Sequence, residues 1–560
     1  MKRYIIIALA LIIAMPMFAK KAKVKGYEIS YTYNSRGTII GAAVMTFAGS
    51  RTMYVPDAKA NDSRMTLKAP EQRQYVDFDQ CKSMSRAVLQ NGDVVTSESA
   101  FTIGANLTDT GKTEKILGYD CRCVHSVVNS NHYDIWYTTQ LPVRGTPQPG
   151  VGVPDGLVLR VVRNQNQVEE ATSIKPLKAE PQFWPEDWGK TLNRFDYQYA
   201  IKQSVVVTVP IFDQERICFN GAKLPEGELE SGKTYACGGG TVIIKKVKLP
   251  ELHRGWGIFA DVTQYSEGDA YDRTGSVFVI PMGKEKTFID AIRKLDSTPY
   301  FESGGVKYHG LVSTPAYDVP VELMRFFTGF GVRFFNDKMK IPGQEWVDSV
   351  FYKSQVTPLQ SHLQGEVWIG AYIGNWDSRG HRVSLKLKYF PDDLRHKLYD
   401  YENAIPLFNT VNYLEQDGQP YPLYQLGDSL KVTFTLDHDV KNAHLLYTTT
   451  GHGGWGGGDE FLQKPNTIYL DGVRVVSFIP WRDDCGTYRN FNPQTGMYET
   501  GCSSSDMSRS NWCPGTVTNP NHIPLGNLSA GTHTIEVQIP QGEPEGGSNS
   551  YWCISGTLLY

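Results

Sequence analysis

The sequence predicts an all-β protein with two consecutive jelly-roll-like antiparallel β-sandwiches, preceded by a separate β-rich N-terminal domain. Short segments of alternating apolar and polar residues recur along the chain, and this two-residue period is that of a half-buried strand. The 53 glycines and 31 prolines supply turns between such strands. The sequence has no long helical periodicity and no visible internal repeat, which argues against helical bundles and solenoids.

The first twenty residues have the form of a secretory signal peptide. Lys2 and Arg3 precede an apolar stretch, residues 4–15, that is too short to span a bilayer. We therefore predict a signal peptide at residues 1–19 and expect the mature protein to be exported, to the periplasm or into the medium. No later segment of the sequence is apolar enough to cross a membrane.

The N-terminal domain is predicted at residues 20–180. Tyr27–Tyr33, Ile135–Thr139 and Leu157–Arg163 have the composition and alternation of strands. Residues 177–195 are rich in proline and tryptophan, which is typical of a linker. This domain does not gather the residue types that catalysis requires.

The two sandwiches are predicted at residues 195–396 and 397–560. His381–Phe390 alternates throughout and is the clearest half-buried strand in the chain. Val321–Phe335 is the stretch in which we predict some helix. Further strands are predicted at Gln203–Phe212, Thr241–Lys248, Trp256–Val262, Gly275–Pro281, Ser429–Leu436, His444–Thr449, Thr467–Val475 and Thr532–Ile539.

Charge and composition limit the classes of partner. The formal net charge of −3 comes from 56 basic and 59 acidic residues without a long run of either sign, which argues against nucleic acid and anionic membranes. Aromatic residues make up 12% of the chain, and their ring faces suit carbohydrate surfaces. We expect the protein to be a monomer.

The nine cysteines favour disulfides, because the protein is expected to be exported. Local spacing suggests the pairs Cys218–Cys237 and Cys502–Cys513. A zinc site at Cys121-x-Cys123-x-His125 is the alternative for that segment, although the segment lacks a second pair of ligands.

A glycine-rich loop, Thr450–Phe461, follows a strand-like segment and contains six glycines. Its remaining polar and aromatic side chains are those of His452, Trp455, Asp459 and Glu460. Loops on a rigid β scaffold often carry binding and catalytic groups. A flexible loop with a surface tryptophan is an equally open interpretation of these residues alone.

Three further segments concentrate polar and aromatic residues beside strands, namely Glu267–Arg273, Ile373–Gly380 and Ser508–Gly515. Hydrolysis of an amide or glycosidic bond needs a carboxylate that activates water and an acid that protonates the leaving group. Solvated turns are the alternative for such runs. The sequence lacks the G-x-S-x-G, H-E-x-x-H and phosphate-loop motifs of other hydrolase classes.

Three motifs in order resemble those of the peptide:N-glycosidase F family. They are the run Asp269–Arg273, the loop Gly451–Phe461 and the segment Cys502–Gly515. The resemblance covers about residues 195–560, and the N-terminal domain is similar to the bowl-like domain of longer bacterial members. The resemblance implies a metal-independent amidase that needs no cofactor. Such an enzyme hydrolyses the bond between N-acetylglucosamine and asparagine in N-linked glycoproteins and glycopeptides, releasing the glycan as a glycosylamine and leaving aspartate.

The resemblance also implies roles for individual residues. Asp272 matches the catalytic aspartate, and the neighbouring Arg273 favours its ionised form. Glu460 matches a second acid that polarises the amide or positions water and sugar, and Arg509 matches the arginine that pairs with it. Substrate-binding positions are expected at Tyr271, Arg273, Trp376, His452, Trp455, Asp459 and Trp512.

The sequence departs from the family pattern at two of these positions. The third acid of the family falls at or near Gly374, which has no side chain to serve. Asn375, Asp377 and Glu366 are the candidate replacements. His452 stands where the archetype has a tryptophan, so we leave the range of accepted glycans open.

Two other functions fit parts of the sequence. The aromatic residues would serve a non-catalytic glycan-binding or adhesion protein equally well. A copper monooxygenase could use paired sandwiches, but it needs several converging ligands. The C-terminal region offers only scattered histidines, among them His381, His438, His444 and His452.

Overall fold

The computed structural model describes residues 25–56, 70–104, 106–251, 256–343, 345–391, 401–453, 458–497, 503–544 and 548–560. The predicted signal peptide, the predicted sandwich boundary at 396/397 and Trp455 lie outside these residues. The described chain is mostly antiparallel strand, which confirms the predicted all-β class. It forms two compact units, Met1–Val205 and Val206–Tyr560. In the described residues, no helix has the length and apolar character needed to cross a bilayer.

The N-terminal unit is built on one twelve-stranded sheet of order β12-β6-β5-β4-β3-β2-β1-β11-β10-β9-β8-β7. Neighbouring strands are antiparallel, except that β12 runs parallel to β6. The strands are β1 (Gly26–Ser35), β2 (Thr38–Ala48), β3 (Arg51–Pro56), β4 (Glu71–Asp77), β5 (Lys82–Val88), β6 (Val94–Ala100), β7 (Thr108–Ile116), β8 (Tyr119–Val128), β9 (Asn131–Thr138), β10 (Leu157–Arg163), β11 (Gln167–Leu177) and β12 (Lys190–Leu192).

Helix α1 (Arg194–Ser204) closes the N-terminal unit. The Asn193 side chain caps it by accepting hydrogen bonds from the first-turn amides of Phe195 and Asp196, each at 2.9 Å. Tyr197 and Ile201, one turn apart, pack with apolar residues of β5 and β6. The predicted linker, residues 177–195, therefore contains β12, and the predicted start of the first sandwich at residue 195 falls within the N-terminal unit.

Glu169 on β11 is a buried carboxyl of the N-terminal unit, with 3% of its surface exposed. Burial raises its pKa to about 7, although hydrogen bonds from Tyr33 and Gln148 oppose this shift. The folded-state pKa of Glu169 lies above its unfolded value. The stability that this carboxyl contributes is therefore present at low pH and is lost as pH rises from about 4.5 to 7.

Replacement of Glu169 by glutamine is expected to raise the free energy of unfolding at pH 8 by about 2–3 kcal/mol, because the ionised form is no longer buried. At pH 4.5 the variant and the parent protein should differ little. Urea unfolding at the two pH values tests this. Glu170→Gln is the matched control, since Glu170 is more exposed and pairs with Arg160 at 2.6 Å, and a gain at pH 8 in that variant would contradict the explanation.

The first sandwich of the second unit consists of a four-stranded and a six-stranded sheet. The sheets face each other, and the ring centroids of Tyr352 and Phe326 lie 4.7 Å apart across the interior. In sheet order the strands are β13 (Val207–Ile217), β23 (His381–Pro391), β16 (Trp256–Ser266) and β21 (Ser349–Gln355), and then β14 (Thr234–Cys237), β15 (Val242–Leu249), β22 (Gly365–Ile373), β17 (Thr274–Ile280), β20 (Val321–Phe327) and β29 (Val517–Thr518). A hairpin of β18 (Tyr300–Ser303) and β19 (Val306–His309) and a helix, α2 (Phe288–Arg293), accompany them.

The prediction of some helix at Val321–Phe335 is wrong, because residues 321–327 form β20 and residues 328–335 form turns and irregular structure. All seven residues of β20 are buried, including the two charged ones, Glu322 and Arg325, which pair with each other at 2.6 Å inside the protein. Because these two charges are three residues apart rather than alternating with apolar residues, the sequence does not show the two-residue period of a half-buried strand.

The second sandwich consists of two four-stranded antiparallel sheets whose inner faces share one apolar core. Its strands in sheet order are β24 (Ala404–Asn409), β32 (Tyr551–Leu559), β26 (Val440–His452) and β30 (Asn521–Leu528), and then β25 (Leu430–Leu436), β31 (Gly531–Gln538), β27 (Asn466–Leu470) and β28 (Val473–Phe478). β29 comes from this late part of the chain but pairs with β20 of the first sandwich. The two sandwiches are thereby joined through backbone hydrogen bonds.

The structure contains a disulfide between Cys485 and Cys513, with a Cα–Cα distance of 5.2 Å. The predicted pair Cys502–Cys513 is therefore wrong, and Cys502 itself lies outside the described residues. The predicted pair Cys218–Cys237 is also wrong, because both are buried free cysteines. Spacing along the chain favours near neighbours, whereas the fold brings Cys513 to a partner 28 residues away.

Candidate active site

A cavity of about 360 Å³ lies between the two sandwiches of the second unit. The first sandwich contributes the turn before β17 and the end of β22, and the second contributes the end of β26, the start of β32 and several loops. Its lining residues are Asp272, Arg273, Thr274, Tyr372, Gly374, Trp376, Asn412, Glu415, Tyr421, His452, Gly453, Glu460, Trp512, Ser548, Asn549, Tyr551 and Cys553.

Arg509 joins two acids of this cavity that are far apart in sequence. Its Nη1 donates to Oε1 of Glu460 at 2.9 Å and to Oδ2 of Asp272 at 3.3 Å. The arginine side chain is fully buried, and the two carboxylates are mostly buried. Of the three residues predicted to be catalytic, Arg509 thus contacts both of the others.

The guanidinium of Arg509 is held from several directions. The Trp512 ring lies over it at 4.3 Å, and the Phe461 ring lies at 5.1 Å. Its Nη2 donates to the carbonyl of Ser504. The backbone of Arg509 exchanges two hydrogen bonds of 2.9 Å with that of Arg482. These contacts fix the position of the positive charge between the acids.

Burial determines the protonation of the two acids. It raises the pKa of Asp272, and the charges of Arg509 and Arg273 oppose this shift. Burial also raises the pKa of Glu460 to about 7, with Arg509 opposing and Asp272 reinforcing the shift. A carboxyl that titrates near neutrality can both donate and accept a proton at physiological pH.

Arg273 pairs with Asp269 rather than with its neighbour Asp272. Its Nε and Nη2 donate to the two oxygens of Asp269 at 2.8 and 3.0 Å, and His381 contacts the same carboxylate at 3.3 Å. Although burial disfavours the charge, these hydrogen bonds keep the pKa of Asp269 well below its usual value. The charge of Arg273 still favours the ionised form of Asp272, as expected from the sequence, but the arginine that contacts Asp272 is Arg509.

The aromatic residues proposed to contact sugars occupy different positions. Trp376 and Trp512 line the cavity; the former is 57% exposed and the latter 4%. Tyr271 is 58% exposed, stacks on Phe330 and lies outside the cavity lining. Exposed ring faces of this kind are available for stacking on a ligand.

Asp459 points away from the cavity, unlike its neighbour Glu460. Its carboxylate is fully buried and accepts hydrogen bonds from Nε1 of Trp552 at 2.8 Å and from the amide of Gly542 at 3.0 Å. These contacts anchor the loop. Gly453 in the same loop has φ = +74°, and a Cβ there would clash with the carbonyl of Asn549.

Glu415 is an acid of the cavity that the sequence did not reveal. Glu415 follows β24 in a turn without a recognisable motif, and its carboxylate accepts a hydrogen bond from the Tyr421 hydroxyl. Burial raises its pKa, and the hydrogen bonds from Tyr421 and Trp376 oppose the shift. Only the folding of the second sandwich brings this turn to the end of β22.

The positions considered for the third acid do not supply a free carboxylate to the cavity. Gly374 lines it, and a Cβ there would clash with the Tyr372 hydroxyl. The buried Asn375 accepts hydrogen bonds from backbone amides, and Asp377 forms a bidentate pair with Arg379. Glu366 pairs with Lys246 at the opposite end of β22.

His452 lines the cavity in a defined protonation state. Burial, together with the charges of Arg325 and Arg509, holds its pKa well below the usual value, so the ring is neutral. Arg325 can only donate, and its Nη1 donates to Oγ1 of Thr450 at 3.1 Å. The Thr450 hydroxyl lies 2.7 Å from Nε2 of His452 and can donate its proton to that nitrogen. In the tautomer in which Nε2 accepts this proton, Nδ1 of the neutral ring carries the ring proton and is a donor.

Three family models match successive parts of the chain. They are described as N-glycanase peptide, N-terminal domain (residues 29–198), Peptide-N-glycosidase F, N terminal (residues 208–389) and Peptide-N-glycosidase F, C terminal (residues 420–559). A comparison with curated protein sequences finds no match.

Solved structures of PNGF-II are similar to this chain over nearly its whole length. The structure in space group P21 is 41% identical, covers 96% of this chain and 99% of its own, and gives a TM-score of 0.66. The C2 structure, also 41% identical, gives coverages of 95% and 98% and a TM-score of 0.64. PNGase F from Flavobacterium meningosepticum is 16% identical, with coverages of 63% and 95% and a TM-score of 0.40.

Two packed β-sandwiches with arginine-bridged acids in the cavity between them form an architecture that suits a hydrolase. The family matches and the PNGF-II structures together identify this chain more closely. It belongs to the peptide-N-glycosidase F family and is a peptide-N4-(N-acetyl-β-glucosaminyl)asparagine amidase, which confirms the resemblance stated from its motifs.

Proposed function

We propose that the cavity hydrolyses the bond between N-acetylglucosamine and the asparagine side chain of N-linked glycoproteins, and that Asp272, Glu460 and Arg509 carry out the reaction. The observation that carries this proposal is the contact of one buried arginine with both acids at a cavity with aromatic walls. The glycan would leave intact as a glycosylamine, and aspartate would remain in the protein.

In the proposed mechanism, Asp272 accepts a proton from the attacking water, whose oxygen bonds to the amide carbon. Protonated Glu460 donates its proton to the leaving nitrogen, which its pKa of about 7 permits. Arg509 stabilises the negative charge on both acids, and Nδ1–H of His452 offers a hydrogen bond to a substrate oxygen. Glu415 and Trp376 would contact the sugar, with a carboxyl for its hydroxyl groups and an exposed ring for stacking, whereas Trp512 packs against Phe327 and Arg509 and would form part of the cavity wall.

The reaction is tested by incubating a defined glycopeptide in H₂¹⁸O and analysing the products by mass spectrometry. The proposal expects aspartate carrying one ¹⁸O atom and an intact glycan. Asparagine that retains one N-acetylglucosamine would identify an endoglycosidase and refute the proposed bond. Stable glycan binding without release would favour the non-catalytic alternative.

Replacement of Thr450 by valine is expected to lower kcat about tenfold, because His452 loses the donor that fixes its tautomer. Thr450→Ser retains the hydroxyl and is expected to keep most of the activity, which makes it the matched control. The ¹⁵N chemical shifts of the His452 ring report the tautomer directly. An unchanged tautomer and full activity in Thr450→Val would contradict this role of Thr450.

We further propose that the protein is exported and acts as a monomer on glycoproteins outside the cytoplasm. The charged and apolar residues of the first twenty positions and the Cys485–Cys513 disulfide support export. N-terminal sequencing of the protein recovered from a secreting host tests the cleavage after residue 19. Light scattering tests the monomer.

A further inference from the structure

Two histidines meet on the surface of the N-terminal sheet. Nε2 of His125 on β8 lies 3.2 Å from Nδ1 of His132 on β9. In the antiparallel register His125 is opposite Asp134, and Val127 is opposite His132, so the two rings are diagonal neighbours on one face. His125 is partly exposed and His132 is exposed, so an ion from solvent can reach both rings.

Asp134 orients the first of these rings. Its Oδ1 lies 2.8 Å from Nδ1 of His125, which places a proton on that nitrogen and directs the lone pair of Nε2 toward His132. A carboxylate that holds the distal nitrogen of a histidine is the arrangement that commonly supports metal-ligating histidines. Asp134 therefore holds His125 in the tautomer that can bind a metal ion at Nε2.

The separation of the two nitrogens fits one ion. With metal–nitrogen bonds of 2.0–2.1 Å, a distance of 3.2 Å between the nitrogens corresponds to an angle of about 103° at the ion, close to the tetrahedral value. We propose that His125 and His132 bind one divalent transition-metal ion such as Zn²⁺, with Asp134 as a positioning residue. Before the metal binds, Nδ1 of His132 carries a proton and donates it to Nε2 of His125 in a hydrogen bond. On metal binding this proton moves to Nε2 of His132, and water completes the coordination.

This site differs from the zinc site considered for Cys121-x-Cys123-x-His125. Both cysteines are buried, and burial raises the pKa of each thiol, which opposes formation of the thiolate that binds metal. His125 of that motif instead contacts His132 on the neighbouring strand β9. The proposed site does not depend on the amidase activity of the second unit.

Calorimetric titration of the full-length, untagged protein with ZnCl₂ tests the proposal. One site is expected, His132→Ala should weaken zinc binding at least tenfold, and Asp134→Asn should weaken it by about 10-fold or more. His438→Ala is the matched control, because His438 is exposed and lies beside Asp437, and it should bind zinc like the parent protein.

Imidazole NMR signals provide a second measurement that does not depend on a variant. Substoichiometric Zn²⁺ should shift or broaden the signals of His125 and His132 before those of other histidines. Absence of zinc binding by the parent protein, or unchanged affinity in His132→Ala, would overturn the proposal. His132 is exposed, so its replacement is expected to leave the melting temperature unchanged, and that measurement separates lost ligation from lost folding.

Discussion

Replacement of Asp272 by asparagine is expected to lower kcat by about 10²–10⁴-fold, the range for loss of a general base. Asparagine has nearly the same shape but cannot accept a proton from water. Because burial raises the pKa of Asp272, the ionised carboxylate is costly to the fold, and asparagine removes that cost. We therefore expect the melting temperature to stay constant or rise while turnover on a glycopeptide is lost.

The combination of lost turnover and retained stability distinguishes catalysis from support of the fold. Asp471→Asn provides the control, since Asp471 pairs with His533 in the second sandwich and does not line the cavity. It should keep the activity of the parent protein. Near-parental turnover of Asp272→Asn would remove Asp272 from the mechanism.

The strands were the most predictable part of the fold, for a local physical reason. The alternation of His381–Phe390 corresponds to β23, His381–Pro391, and the predicted Leu157–Arg163 is β10 as observed. Each of these segments has one buried and one more exposed face, so apolar and polar residues alternate along the sequence and the strand can be predicted from neighbouring residues alone. β20 is buried on both faces and lacks this pattern, which is why it was predicted to be partly helical.

Contacts between distant segments could not be derived from local patterns. Asp272 and Arg509 are 237 residues apart, and only the motif resemblance suggested that they share a site. Conversely, Arg273 is adjacent to Asp272 in sequence but pairs with Asp269, because the turn before β17 directs the two side chains differently. Glu415 has neither a motif nor a distinctive neighbour, so its presence in the cavity follows from the three-dimensional fold alone.

The second large expected effect concerns Arg509, whose replacement by methionine should abolish turnover and destabilise the fold by about 3–5 kcal/mol above pH 7. Methionine leaves Asp272 and Glu460 close together in a buried site without a compensating cation. Their folded-state pKa values should rise further above the unfolded values, so the loss of stability grows as pH increases through that range. At about pH 4, below the raised folded-state pKa values, both acids are mostly protonated in the folded state of either protein, and the variant should approach the parent protein.

Thermal unfolding at pH 4 and pH 8 measures this dependence, and Arg382→Met is the control, since Arg382 is 42% exposed and pairs with Glu267. A surface pair of that kind contributes about 0–1 kcal/mol, with little dependence on the acids of the cavity.

Arg509→Lys separates charge from shape, because a lysine keeps the charge but cannot reproduce the planar contacts to both acids, Ser504 and the Trp512 ring. If Arg509→Lys restores stability but not turnover, the positive charge of Arg509 stabilises the fold, and its planar geometry is what catalysis requires. A pH-independent loss of stability in Arg509→Met would instead mean that packing, rather than the two carboxylates, is what this arginine supports.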